Sequence, residues 1–98
     1  MHNVRQHLLN KIDLASDLVL HSEDSLYAHT TRAVAMSALT NIRGQLAETG
    51  PVDVVKARLL FAPTGLLHEI SMDNDWGHQF VELARDIDLL LTELKDQA

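Results

Sequence analysis

Two pairs of carboxylates share one spacing. Glu69 and Asp73 are four residues apart, as are Glu82 and Asp86, and the second pair follows the first by thirteen residues. On a helix, residues four apart lie on one face, so each pair presents two carboxylates together. Four carboxylates converging between helices would suit a hard divalent cation such as Mg²⁺. His68 and His78 stand beside the pairs and could add nitrogen ligands for Zn²⁺ or Mn²⁺. Such a centre would make the chain a metal-dependent hydrolase. Helical geometry weighs against it. At 100° per residue, Glu82 lies about 200° round from Phe80, opposite the apolar stripe, and Asp86 shares its side. A metal site in a bundle core needs ligands that point inward. The four become a site only where a second subunit covers that face. Otherwise they form a solvated acidic surface, the ordinary place for Asp and Glu.

The remaining motifs carry less chemistry. Small all-α nucleotide pyrophosphohydrolases carry E-x-x-E followed by E-x-x-D on bundle helices, and this chain has neither spacing. Counted as a calcium loop from Asp73, positions five, six and twelve hold Gly77, His78 and Ala84, where an EF-hand needs an oxygen ligand, glycine and glutamate. The run Asp73-Asn74-Asp75 therefore reads as a turn and a helix cap. Ala62-Pro63-Thr64-Gly65 precedes a helix, but no lysine follows the glycine as a phosphate loop requires, so capping is the expected role. No Gly-x-Ser-x-Gly elbow places a serine nucleophile. His2, His7, His21 and His29 read as surface or helix-end residues. No cofactor is expected.

The segment from Phe61 to Phe80 is the most distinctive. It holds three of the four large aromatics (Phe61, Trp76, Phe80), two of the four glycines and one of the two prolines. Trp76 and Phe80, four apart, share a face at the start of the last helix and could close against Phe61. That arrangement is a hydrophobic plug under the loop or, on the functional reading, a contact surface of Phe61, Trp76, His78 and Phe80, because tryptophan is enriched at binding hot spots.

The elements that must position these residues are helices. Apolar residues make up 46% of the 98, and aromatics only 4%. An aliphatic, aromatic-poor mix of this kind suits close-packed helices better than a sheet. One domain, residues 1–98, is the natural reading of this length. Asn3 caps a first helix that carries Val4, Leu8, Ile12, Ala15 and Val19 at helical spacing and ends near His21. Ser22 is placed to cap a second helix from about Glu23 to Glu48, rich in small residues (Ala28, Ala33, Ala35, Ser37, Ala38) that let another helix approach. Gly50-Pro51 stops it, with glycine expected in the left-handed region. A third helix spans about Val52 to Phe61, Pro63 ends it, and Thr64 caps a short fourth helix, Gly65 to Met72. The last, from about Trp76 to Lys95, carries Phe80, Leu83, Ala84, Ile87, Leu90, Leu91 and Leu94. The spacing thus predicts an all-α bundle of three long and two short helices. Leu9, Leu20, Val81 and Leu89 lie off the main stripes and point to a second buried face, most economically a homodimer interface.

Charge and composition exclude several partners. The net charge is −6. Residues 1–68 balance six basic against six acidic groups, while residues 69–98 carry eight acids against Arg85 and Lys95. Phosphate backbones and anionic membranes want clustered Lys and Arg, so neither nucleic acid nor membrane is expected. There is no cysteine, which fits a reducing cytoplasm. The start lacks the pattern of a signal peptide, and no apolar run approaches the roughly 20 residues that span a bilayer.

The run FAPTGLLHEISMDNDWGHQFVELARDID resembles a block in short uncharacterised bacterial helical proteins, a domain of unknown function carried in some cases on integron gene cassettes. The resemblance rests on Ala62-Pro63-Thr64-Gly65, the Asn74 to Gly77 turn and the helix after it. It implies a bacterial accessory protein and no site residues. Packing signatures abound and chemical ones are absent. The expected function is therefore a non-enzymatic, cytoplasmic interaction module, immunity-like, antitoxin-like or ligand-binding, that assembles with itself and binds a protein or small molecule. The metal-dependent hydrolase built across a dimer interface is the alternative.

Overall fold

Asn3 opens the first helix as its spacing requires: its side chain accepts a hydrogen bond from the Gln6 amide at 3.1 Å. The structure, a computed structural model, describes residues 3–23, 31–48, 50–63 and 65–96. Among the described residues five helices follow one another: α1 (Val4–Leu20), α2 (Thr31–Ala47), α3 (Val54–Leu60), α4 (Leu66–Asp73) and α5 (Gly77–Asp96). No strand occurs among the described residues, and the all-α expectation holds. No helix among them is long and apolar enough to cross a membrane.

The core follows the helical periodicity. Val4, Leu8, Ile12, Ala15 and Val19 of α1 are buried, as are Ala35, Leu39, Ile42 and Leu46 of α2 and Phe80, Leu83, Ile87 and Leu91 of α5. These join Ala57 of α3 and Leu67 and Ile70 of α4 in one cluster to which all five helices contribute. α1 is the central element, packed between α2 and α5. The small residues of α2 divide between two faces. Ala35 is fully buried in the core, whereas Ala33 and Ser37 are exposed.

The helix boundaries differ from the spacing-based expectation where a tertiary partner intervenes. The amides that Ser22 would cap lie outside the described residues. The Ser22 hydroxyl donates to the Leu18 carbonyl at 2.7 Å, and the following residue, Glu23, is not helical. The expected first turns of the second helix, Ala28 included, lie outside the described residues. Gly50 does not take the left-handed conformation expected of a C-cap, since no described glycine has positive φ. Arg5 fills that role by donating to the carbonyls at the end of α2. α3 starts two residues later than expected, because Asp53 accepts from the Lys56 amide at 3.0 Å and so outcompetes Pro51 as the helix opener. Thr64 lies outside the described residues, and Gly65 holds the N-cap position of α4.

The turn between α4 and α5 is a Schellman motif. The Trp76 amide donates to the Ser71 carbonyl at 2.9 Å, and Asp75 between them has a φ of 63°. A short polar side chain tolerates that region where most residues do not. The glycine two positions on is therefore not required by backbone conformation.

Gly65 is required, for a different reason. A Cβ there would lie 3.0 Å from the Leu59 carbonyl oxygen and 3.2 Å from that of Ala62. Both are backbone atoms and cannot step aside. A Cβ at Gly77 would meet only the Met72 sulfur at 2.8 Å, the end of a flexible, exposed side chain. Gly65→Ala is therefore expected to cost about 1–3 kcal/mol, the usual range for forced overpacking. Gly77→Ala is expected to be neutral or to stabilise by less than about 1 kcal/mol. Urea denaturation of the two variants checks this, and equal losses would refute it.

Candidate functional site

The aromatic segment is built around Phe80 on the first turns of α5. Phe61, at the end of α3, stacks on it with centroids 6.4 Å apart and planes 13° from parallel. Trp76 meets the same ring edge-on at 6.4 Å, and His68 of α4 does so at 5.6 Å. All three large aromatics are buried, Trp76 to 5% exposure. Their burial supports the plug. His78, the fourth residue of the proposed contact surface, is exposed and stands apart from the ring cluster.

The plug also fastens the end of α1. The indole N–H of Trp76 donates to the Ser22 hydroxyl at 2.8 Å, a buried bond across 54 residues of sequence. Ser22 passes its own proton to Leu18 at the last turn of α1, and Arg32 donates to the Ser22 carbonyl at 2.7 Å. Beside it, the Asn74 side chain accepts from the Glu23 amide at 2.8 Å and donates to the Glu23 and Ile70 carbonyls at 3.1 and 2.9 Å. One carboxamide thus ties the α4–α5 turn to the chain leaving α1. Among the described residues no buried side-chain polar atom lacks a hydrogen-bond partner. The buried polar side chains Ser22, Ser71 and Trp76 are committed to structure.

The four carboxylates divide into two places. Glu69 and Asp73 are exposed on α4. Glu82 and Asp86 face a groove between α1 and α5. Asp86 is engaged there by Lys11 at 3.0 Å, with both side chains partly exposed. Among the described residues of one chain, no three His, Asp or Glu side chains converge as metal ligands do. His21 is exposed with its Nδ1 2.7 Å from the Asp17 carbonyl, and His7 is exposed at the groove. His2 and His29 lie outside the described residues.

Neither a family model, nor a curated protein, nor a solved structure matches this chain. The site must therefore be read from the molecule itself.

A groove between α1 and α5 is a feature that the spacing of carboxylates and aromatics did not reveal. It consists of two adjoining open hollows of about 560 and 250 Å³ that share the Lys11–Asp86 pair. α1 and α5 run antiparallel along it. Lys11 faces Asp86, His7 and Glu93 line one hollow, and Leu14, Gln79 and Glu82 line the other. Leu18, Leu83 and Leu90 form an apolar floor, while Leu14 and Leu89 stay 48% and 59% exposed. A sequence signal existed. His7, Lys11, Leu14 and Leu18 recur at spacings of four, three and four, a second stripe beside the core stripe of α1.

Proposed function

We propose that this protein is a non-enzymatic helical interaction module that recognises a protein partner through its acidic side. One observation carries this reading. The distinctive residues are consumed by packing and capping, while the α1–α5 groove leaves Leu14 and Leu89 in solvent between carboxylates. Large apolar side chains held at a polar-rimmed depression mark a contact surface more than a reaction centre. The acidic excess suits a basic partner, as neutralising proteins of the immunity or antitoxin kind require. A cytoplasmic bacterial accessory role agrees with the resemblance of the Phe61–Asp88 block.

Self-assembly is a second element of the proposal, and the outer face of α2 favours it. Ala33, Val34, Ser37 and Asn41 form a shallow, nearly flat hollow of small side chains that would let a second copy of the helix approach closely.

Affinity capture with the intact protein, alongside a panel of nucleotides and esters with Mg²⁺ or Mn²⁺, tests the reading against the hydrolase alternative. A stoichiometric partner, no metal-dependent turnover and no metal-induced thermal shift are expected. Turnover that requires metal and is lost in Glu82→Gln would establish the hydrolase instead. Sedimentation of the same preparation reads the assembly, with a dimer mass expected and a monomer at all concentrations opposing it.

A further inference from the structure

We propose that Met72 is a site of reversible oxidation by peroxides, its thioether lying on Gly77 at the opening of α5 and leaving that glycine once the sulfur carries oxygen.

Composition confines the chemistry to methionine. The chain has no cysteine, so no thiolate competes for a soft two-electron oxidant, and all of its sulfur is that of three methionines. Met36 on α2 is partly buried against the core, whereas Met72 near the end of α4 is 61% exposed. Met1 lies outside the described residues. A thioether reacts through a sulfur lone pair, which forms an S–O bond to one peroxide oxygen as the O–O bond breaks. The second oxygen leaves with the bonding pair and takes up the proton of the first. Sulfur is thereby oxidised to the sulfoxide, and hydrogen peroxide is reduced to water. Access governs the rate, so Met72 reacts ahead of Met36.

Position gives the oxidation a consequence. A Cβ built on Gly77 would lie 2.8 Å from the Met72 sulfur and 4.0 Å from its Cγ, so the thioether occupies the space that the glycine leaves open. An oxygen added on the glycine side has no room there. A sulfoxide is also polar where the thioether was apolar, and it calls for water. Dispersion between a few atoms is all the thioether gains from the glycine, too little to hold a sulfoxide against hydration. The turn beneath stands without it. The Trp76 amide donates to the Ser71 carbonyl at 2.9 Å, and the Asn74 carboxamide is bonded to Glu23 and Ile70. Oxidation therefore uncovers Gly77 and leaves the core and the turn in place.

The intact protein is treated with dilute hydrogen peroxide, quenched at intervals and digested. The gain of one oxygen, about 16 Da, is followed separately on the peptides that carry Met36 and Met72. Met72 is expected to oxidise severalfold faster than Met36 in the folded protein and at a similar rate in urea. Gly77→Ala, whose methyl group pushes the sulfur outward, is expected to quicken Met72 and leave Met36 unchanged. Nuclear Overhauser contacts between the γ protons of Met72 and the α protons of Gly77 read the docking directly. They are expected in the reduced protein, lost in the sulfoxide, and restored by methionine sulfoxide reductases, one for each sulfur epimer. The melting temperature of the oxidised protein is expected to stay within a few degrees of the parent. Equal rates for the two methionines in the folded protein overturn the site. Contacts that persist in the sulfoxide, a Met72 rate indifferent to Gly77→Ala, or a collapsed melting temperature overturn the release from Gly77.

Discussion

Trp76→Ala is expected to lower the stability of the fold by about 3–5 kcal/mol, the range for deleting a large buried aromatic. The side chain is 5% exposed and supports Phe80 edge-on, and its N–H is bonded to Ser22. A domain of this size holds only about 5–15 kcal/mol in total, so the loss consumes a large share of it. It should depress the melting temperature by well over 10 °C, given about 4–8 °C per kcal/mol. Two smaller changes apportion the loss. Trp76→Phe keeps a ring and removes the donor. Ser22→Ala removes the acceptor, strands a buried indole N–H and costs about 1–3 kcal/mol. Because the two groups are partners, the double variant should cost less than the sum of the singles. Thermal and urea unfolding followed by circular dichroism read all four proteins. A Trp76→Ala protein that melts within a few degrees of the parent would show that the plug carries no load.

What could be read without the fold was local. The five residues of the α1 stripe are the five that α1 buries, because period and burial are one geometric fact on a helix. The stop at Pro63, the cap at Asn3 and the stripe of α5 are equally local. Two bonds were not legible, each for want of a distant partner. Ser22 looked like a helix cap, yet its hydroxyl belongs to a network whose donor, Trp76, lies 54 residues away. Gly50 looked like the left-handed end of a helix, yet the carbonyls it would have served are taken by Arg5. The groove was half visible. Its α1 side is a second stripe at heptad-like spacing, but only the antiparallel seating of α5 shows that Lys11 faces Asp86 and that Leu14 and Glu82 line one hollow. The carboxylate spacing is local and legible, whereas the ammonium of Lys11 that meets Asp86 comes from another helix.

That ion pair and the aromatic plug differ in kind. Lys11 and Asp86 are both more than a third exposed, and such pairs contribute about 0–1 kcal/mol. The same holds for Arg43 with Asp13 and Arg58 with Asp88, whose partners are exposed to a similar degree. These bridges leave the charges of α5 accessible to a competitor. Exposed pairs of this kind add little to the frame, whereas the hydrogen bonds around Trp76 and Asn74 hold the α4–α5 turn to the end of α1.

Removing Arg5 is expected to cost about 2 kcal/mol, within the range of hydrogen bonds to charged groups. Its guanidinium donates to the carbonyls of Gln45 at 3.1 Å, Leu46 at 3.2 Å and Glu48 at 2.6 Å, and also to that of Gly50. These acceptors are the orphan carbonyls that end α2 and open the connection to α3, and the negative end of the helix dipole favours a cation there. A single planar fork can reach four oxygens on diverging backbone, which a point charge cannot. Arg5→Lys should therefore recover only part of what Arg5→Met loses. The loss should also be local. The Gln45 side chain accepts from the Asp53 amide at 2.8 Å in the same corner, so amide exchange should quicken around the end of α2 and at Asp53 before it quickens in the α5 core. Denaturant unfolding gives the size of the effect and hydrogen exchange its place. Full rescue by lysine would mean that charge alone holds the corner. Uniform exchange across all five helices would mean that Arg5 acts on the whole fold and not on the α2–α3 junction.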